Sequence, residues 1–194
     1  MIHIPAILLA LGAAASASDT TLLTADSLMV ELKNGGYVVL LRHARTDYST
    51  MDNPKAAPTD RTAQRNLSDD GIADAKMIGN VFKKFGISFA EVVSSPLFRT
   101  RETAELAVGH TDTTMALRSV AVTPEQLRVV TTPPAPGTNR LLVTHHFVIE
   151  QNVTRFPPGM VNESEAVVIR PIGNGKFDTV GRIRLKDWVR LANP

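Results

Sequence analysis

The sequence predicts an α/β layered domain with a mostly parallel central sheet. Three observations point there: short apolar runs of strand length recur along the chain, segments of helical period separate them, and glycine or proline clusters mark the joints. A length of 194 residues suits one domain with a single sizeable core.

Ala25 to Lys33 reads as a short helix, stopped by Asn34-Gly35-Gly36. Tyr37 to Leu41 is a continuous apolar run, the mark of a buried strand. Residues 44–66 are polar, proline-containing and aperiodic, and predict a long loop at the mouth of whatever site follows that strand. Ser68 then caps a strongly amphipathic helix, with Asp69 and Asp70 suiting the positive end of its dipole. Ile72, Ala75, Ile78, Phe82 and Phe85 share one face of it, and Gly86 ends it. Glu91 to Ser94 is a short strand, and Leu97 to Val108 a helix with Leu97, Thr100, Ala104 and Ala107 on one side. Thr123-Pro124-Glu125 opens a further helix, which the proline cluster at residues 133–137 breaks. Arg140 to Thr144 is a third buried strand. Beyond an irregular stretch, Glu165 to Arg170 and Phe177 to Leu185 predict a hairpin around Ile172-Gly173-Asn174-Gly175, and Trp188 anchors the tail.

Composition narrows the function classes. The formal net charge is only +2, and no stretch clusters lysine and arginine with aromatic residues, so nucleic acid is not an expected partner. The chain has no cysteine, which excludes disulfides and thiol chemistry. Residues 4–17, IPAILLALGAAASA, are apolar and too short for a membrane span, and Ala15-Ser16-Ala17 is an A-x-A site. They predict a signal peptide over residues 1–17, cleaved before Ser18, export to the periplasm or medium, and no membrane span in the mature chain. The alternative is a buried N-terminal helix. Residues 18–194 then form the single domain.

In a parallel α/β sheet, ligands bind beyond the carboxyl ends of the strands. The first predicted strand ends in Arg42 and His43, with Arg45 one step on across Ala44. The second leads into Ser94-Ser95-Pro96 and then Arg99 in the first turn of a helix. The third ends in His145 and His146. Guanidinium groups beside an imidazole disfavour its protonation, leaving a neutral nucleophile in a pocket that attracts anions. Arginine forks suit a tetrahedral oxyanion because they give paired, directional hydrogen bonds. Adjacent strand residues face opposite ways, so His146 is expected to point out of the pocket.

These residues resemble the histidine phosphatase, or phosphoglycerate mutase-like, superfamily. Arg42-His43-Ala44 is similar to its Arg-His-Gly tripeptide. Ser95-Pro96-Leu97-Phe98-Arg99 with Thr103-Ala104-Glu105 resembles its second block, and Val143-Thr144-His145 its third. Asn66-Leu67-Ser68-Asp69-Asp70-Gly71 is similar to the family's helix start between the first two blocks. The resemblance covers roughly residues 36–150 in the family's order. It implies a phosphoglycerate mutase-like, three-layer α/β/α fold and a phosphohistidine intermediate on His43. By the same resemblance Arg42, Arg99 and His145 hold the phosphoryl oxygens and stabilise their charge during transfer.

No cofactor or metal is implied, and adjacent His145 and His146 make a poor chelate. The expected partner is a phosphorylated small molecule, either a phosphomonoester or a phosphorylated envelope sugar; phosphohistidine on a protein is an alternative. So is a non-catalytic phosphate-binding module. Mutase activity is not expected, because residues 18–194 leave little for the insertions that retain a bisphosphate. The family's general acid is a carboxylate beyond the second arginine. Glu125 has that spacing, although Thr-Pro-Glu is also an ordinary helix opening, and Glu102 and Asp112 are further options.

Overall fold

The computed structural model describes residues 22–153 and 160–193. The predicted leader falls outside the described residues. Six strands form one sheet: β1 (Val38–Arg42), β2 (Phe89–Ser94), β3 (Asp112–Thr113), β4 (Asn139–Thr144), β5 (Ala166–Gly173) and β6 (Lys176–Ile183). Their spatial order is β3-β2-β4-β1-β5-β6. The β1–β4, β2–β4 and β2–β3 pairs are parallel, and β5 and β6 are antiparallel additions at one edge. Asn174 and Gly175, both at positive φ, make the tight turn of the predicted hairpin.

The helices are α1 (Ala25–Asn34), α2 (Asp69–Lys84), α3 (Phe98–Val108), α4 (Pro124–Thr131), α5 (His146–Asn152) and α6 (Leu185–Ala192). Strand alternation sorts the core into two halves. Val39 and Leu41 of β1 turn toward Leu28 and Leu32 of α1, Ile78 and Phe82 of α2, Ala104 of α3 and Trp188 of α6. Val38 and Leu40 turn the other way, toward Val129 and Val130 of α4 and Val148 and Ile149 of α5. The result is the three-layer α/β/α arrangement.

Local signals act where the sequence places them. The Ser68 hydroxyl accepts from the Gly71 amide at the start of α2, and the Thr123 hydroxyl from the Gln126 amide at the start of α4. The last helix is a departure: the strand expected to reach Leu185 stops at Ile183, and Leu185 to Ala192 form α6. Trp188 and Leu191, three apart on this helix, are both buried. Chain reversal after Arg184 lets them reach the core, which a continued edge strand would not. Among the described residues, no helix is long and apolar enough to cross a membrane.

Candidate active site

Strand order brings three distant segments to one sheet edge. Arg42 lies opposite Thr144 in the β1–β4 register, and the His43 amide donates to the Thr144 carbonyl at 3.0 Å. The Ser95 amide donates to Val143 O at 3.1 Å, which sets the β2–α3 connection beside the end of β4. His43 and His145 therefore meet with ring centroids 5.5 Å apart, and both are buried. Arg99, in the first turn of α3, is buried next to them.

The environment of His43 fixes its tautomer. Nδ1 lies 2.9 Å from the Ala44 carbonyl, which only accepts, so Nδ1 carries the proton. Nε2 keeps its lone pair and has no hydrogen-bond partner among the described residues. Burial above all, then the competition with the adjacent His145 for a proton and the charge of Arg99, hold the imidazole well below the ordinary histidine range. Arg42 contributes less. Arg45, expected to help cage His43, turns away: its Nε and Nη1 donate to Asp74 and Asp70 of α2 at 2.6 and 2.9 Å. The neutral imidazole is thus chiefly a consequence of burial rather than of its two neighbours in the chain.

His145 is likewise held well below the ordinary range, by burial first and then by Arg99 and Arg42. Its Nε2 meets Ser95 Oγ at 2.9 Å, and Phe147 stacks on it with centroids 5.2 Å apart. His146 opens α5 and pairs with Glu150 at 3.3 Å on that helix, outside the His43–His145 cluster.

Two carboxylates organise the arginines, and the sequence analysis named neither. Glu163 Oε1 accepts from Thr46 Oγ1 at 2.8 Å and Tyr48 Oη at 3.1 Å, and lies 3.7 Å from Arg42, 3.9 Å from His43 Nδ1 and 3.9 Å from Arg65. Its neighbour Ser164, buried at φ 64, is held by the Trp188 indole, the Asp74 carboxylate and the His43 carbonyl. Asp52, in the loop after β1, accepts on Oδ1 from Arg99 Nη1 at 3.0 Å and from the Arg65 amide at 2.9 Å. Arg42, Arg65 and Arg99 each retain a buried Nε–H with no acceptor among the described residues. Such donors are costly to leave unmade, and an entering oxyanion would engage them.

Arg99, His145 and Asp52 of this cluster line a cleft of about 180 Å³ together with Gln64, Phe147 and Arg118, among others; buried His43 lies next to His145 and is not itself a lining residue. Glu125 does not reach it. As the second residue of α4 it is exposed and forms a bidentate pair with Arg128, so Thr-Pro-Glu here serves as a helix opening. Glu102 pairs with Arg61 on the surface, and Asp112 lies on the exposed edge strand. Among the described residues, no three histidine or carboxylate groups are arranged to hold a metal ion.

The fold is that of a phosphoglycerate mutase-like α/β protein, with a cluster of buried histidines and arginines at the carboxyl edge of its sheet. The family model of the histidine phosphatase superfamily (branch 1) matches residues 38–120, the span from β1 to just past Arg118. A solved structure described as a phosphohistidine phosphatase, SixA from Agrobacterium tumefaciens, is 17% identical. It covers 77% of this chain and 99% of its own, with a TM-score of 0.53. The protein histidine phosphatase SixA bound to tungstate is 14% identical, over 78% of this chain and 98% of its own, with a TM-score of 0.56. A phosphoserine phosphatase from Entamoeba histolytica is 13% identical over 78% and 98%, with a TM-score of 0.54. No curated protein matches the sequence. The match over residues 38–120 and the shared fold are what make this chain similar to the histidine phosphatase superfamily.

Proposed function

We propose that this protein is a metal-independent phosphatase that cleaves a small phosphomonoester, a phosphorylated sugar included, through a phosphohistidine on His43. The observation that carries the reading is the state of that imidazole. Its Nδ1 proton is tied to a carbonyl, its Nε2 lone pair is unengaged, and burial keeps it neutral beside arginines with unused donors. In the first step His43 Nε2 attacks phosphorus, the N–P bond forms, and the bond from phosphorus to the leaving oxygen breaks. Arg42, Arg99 and the His145 ring hold the three oxygens whose charge grows in the transition state. Water then attacks phosphorus, the N–P bond breaks, and His43 recovers its lone pair.

The leaving oxygen needs a proton, and Asp52 is the carboxylate among the residues lining the cleft. It donates in the first step and takes a proton from the attacking water in the second. Two of the structural relatives are a protein histidine phosphatase and a phosphoserine phosphatase, which supports hydrolysis rather than passive binding. A cleft of about 180 Å³ favours a small carrier. The apolar stretch at residues 4–17 supports placing this activity outside the cytoplasm.

The test is to trap the intermediate. With a radiolabelled phosphomonoester, quenched wild-type protein is expected to carry acid-labile, base-stable label. His43→Ala is expected to carry none and to lose turnover by about 10³-fold or more. Undiminished hydrolysis in that variant would falsify the histidine mechanism.

A further inference from the structure

The cleft beside His145 is lined by one cation to which the proposed phosphoryl transfer assigns no role. Arg118 ends the short 3-10 turn Met115–Arg118, and its side chain lines the cleft with Arg99, His145 and Phe147. Every described arginine except Arg118 and Arg184 has a carboxylate within ion-pair distance. Arg184 caps α6 and is not a cleft residue. Arg118 is the described arginine that lines the cleft with no carboxylate of the described residues within ion-pair distance.

Its position separates it from the phosphoryl contacts. Arg118 is carried by the 3-10 turn after β3, whereas Arg42 ends β1 and Arg99 lies in the first turn of α3. Phe147, stacked on His145, and exposed Val120 line the same cleft and offer an apolar surface. A guanidinium added to a cleft that already holds Arg99 raises the electrostatic cost of the free protein. An anion reaching it offsets that cost with charge-assisted, directional hydrogen bonds.

We propose that Arg118 forms a second anion subsite, so that the substrate carries a carboxylate or second phosphate on a short carrier besides the phosphomonoester. This deepens the phosphatase reading, on which the identity of the reacting end rests. The second group stays bound while the first is transferred, and Phe147 and Val120 contact the carrier between them.

The experiment is read on binding. On the His43→Ala background, calorimetry compares propyl phosphate with 3-phosphooxypropanoate and propane-1,3-diyl bisphosphate, and phenyl phosphate with 4-carboxyphenyl phosphate. At least one doubly anionic member is expected to bind about tenfold or more tighter than its singly anionic partner. With Arg118→Ala added, that ratio is expected to fall to within about twofold of one; Arg118→Lys, which keeps the charge but loses the fork, retains part of it. Absence of any preference overturns the subsite. So does a preference that survives Arg118→Ala, or an equal weakening of both members, which would make Arg118 a further ligand of the reacting phosphoryl group. Turnover plays no part in this readout. A chain that binds phosphate without hydrolysing it would lose the phosphatase reading and keep the subsite, whereas a working phosphatase indifferent to the second anion would do the reverse.

Discussion

Asp52 presents one oxygen to Arg99 and the Arg65 amide and leaves Oδ2 without a hydrogen bond among the described residues. A phosphoryl group that takes the Arg99 donors brings like charge against this carboxylate, and a proton shared between the two relieves it. In the proposed mechanism Oδ2 is the atom that hands the proton to the departing oxygen. The prediction concerns leaving groups, because a departing alkoxide needs the proton and a nitrophenolate does not. Asp52→Asn should keep the turnover of aryl phosphates with acidic phenols within about threefold, and lower that of alkyl phosphates by about 10²-fold or more. A plot of rate against leaving-group pKa checks this. Equal loss on both series would assign Asp52 to holding Arg99 rather than to proton transfer.

At the scale of elements, the site is held by two close approaches. The start of α2 clamps the residues after β1: the Ser68 amide donates to Arg45 O at 3.1 Å, and a side chain at Gly71 would place its Cβ 1.9 Å from that same oxygen. Farther along α2, a Cβ at Gly79 would fall 2.2 Å from Ala107 O of α3. Both contacts are with backbone, which yields poorly. Gly71→Ala is expected to cost about 1–3 kcal/mol of stability and to lower kcat, because it moves the segment that carries His43. Gly79→Ala, at the α2–α3 crossing away from the cleft, should cost a similar amount while leaving the kcat of the folded fraction within about twofold. Urea titration and steady-state kinetics on the two variants together check the distinction. A kcat unchanged by Gly71→Ala would mean that the α2 start bears on stability alone.

For the whole molecule, two buried neutral histidines link stability to pH. In the unfolded chain, His43 and His145 take up protons as the pH falls past the ordinary value of 6.5, whereas in the folded protein both are held well below it. The unfolded state therefore binds more protons across that window, and stability falls as the pH drops below 6.5. Each histidine contributes a slope of up to about 1.4 kcal/mol per pH unit while it stays neutral in the fold. Urea midpoints between about pH 7.5 and 5.5 should show this decline. Replacing both histidines with glutamine should flatten it, and an unchanged slope in that variant would mean that other groups carry the acid sensitivity.

Much of this protein is legible in the chain because it depends on local chemistry. The apolar runs at β1 and β4, the capped and amphipathic α2, and the Asn174-Gly175 turn are set by residues that are neighbours in sequence. Strand ends are legible too: once a parallel sheet is predicted, Arg42, His43, Arg99 and His145 must lie at its carboxyl edge, and the structure brings them together there. Proximity in the chain misleads where side-chain direction decides. Arg45 is two residues from His43 yet serves α2, and Glu125 has a suggestive spacing yet pairs with Arg128. The C-terminal α6 was hidden because eight residues with a charged face carry little signal until the core they cover is known. Asp52, Glu163 and Arg118 lie in connections without periodicity, and Glu163 meets Thr46 from 117 positions away. The sequence by itself determined the layers and the residues at the sheet edge, through periodicity and caps. Only tertiary structure decided which acid faces which arginine and which cation is left for a ligand, because those depend on loop paths closed by long-range packing.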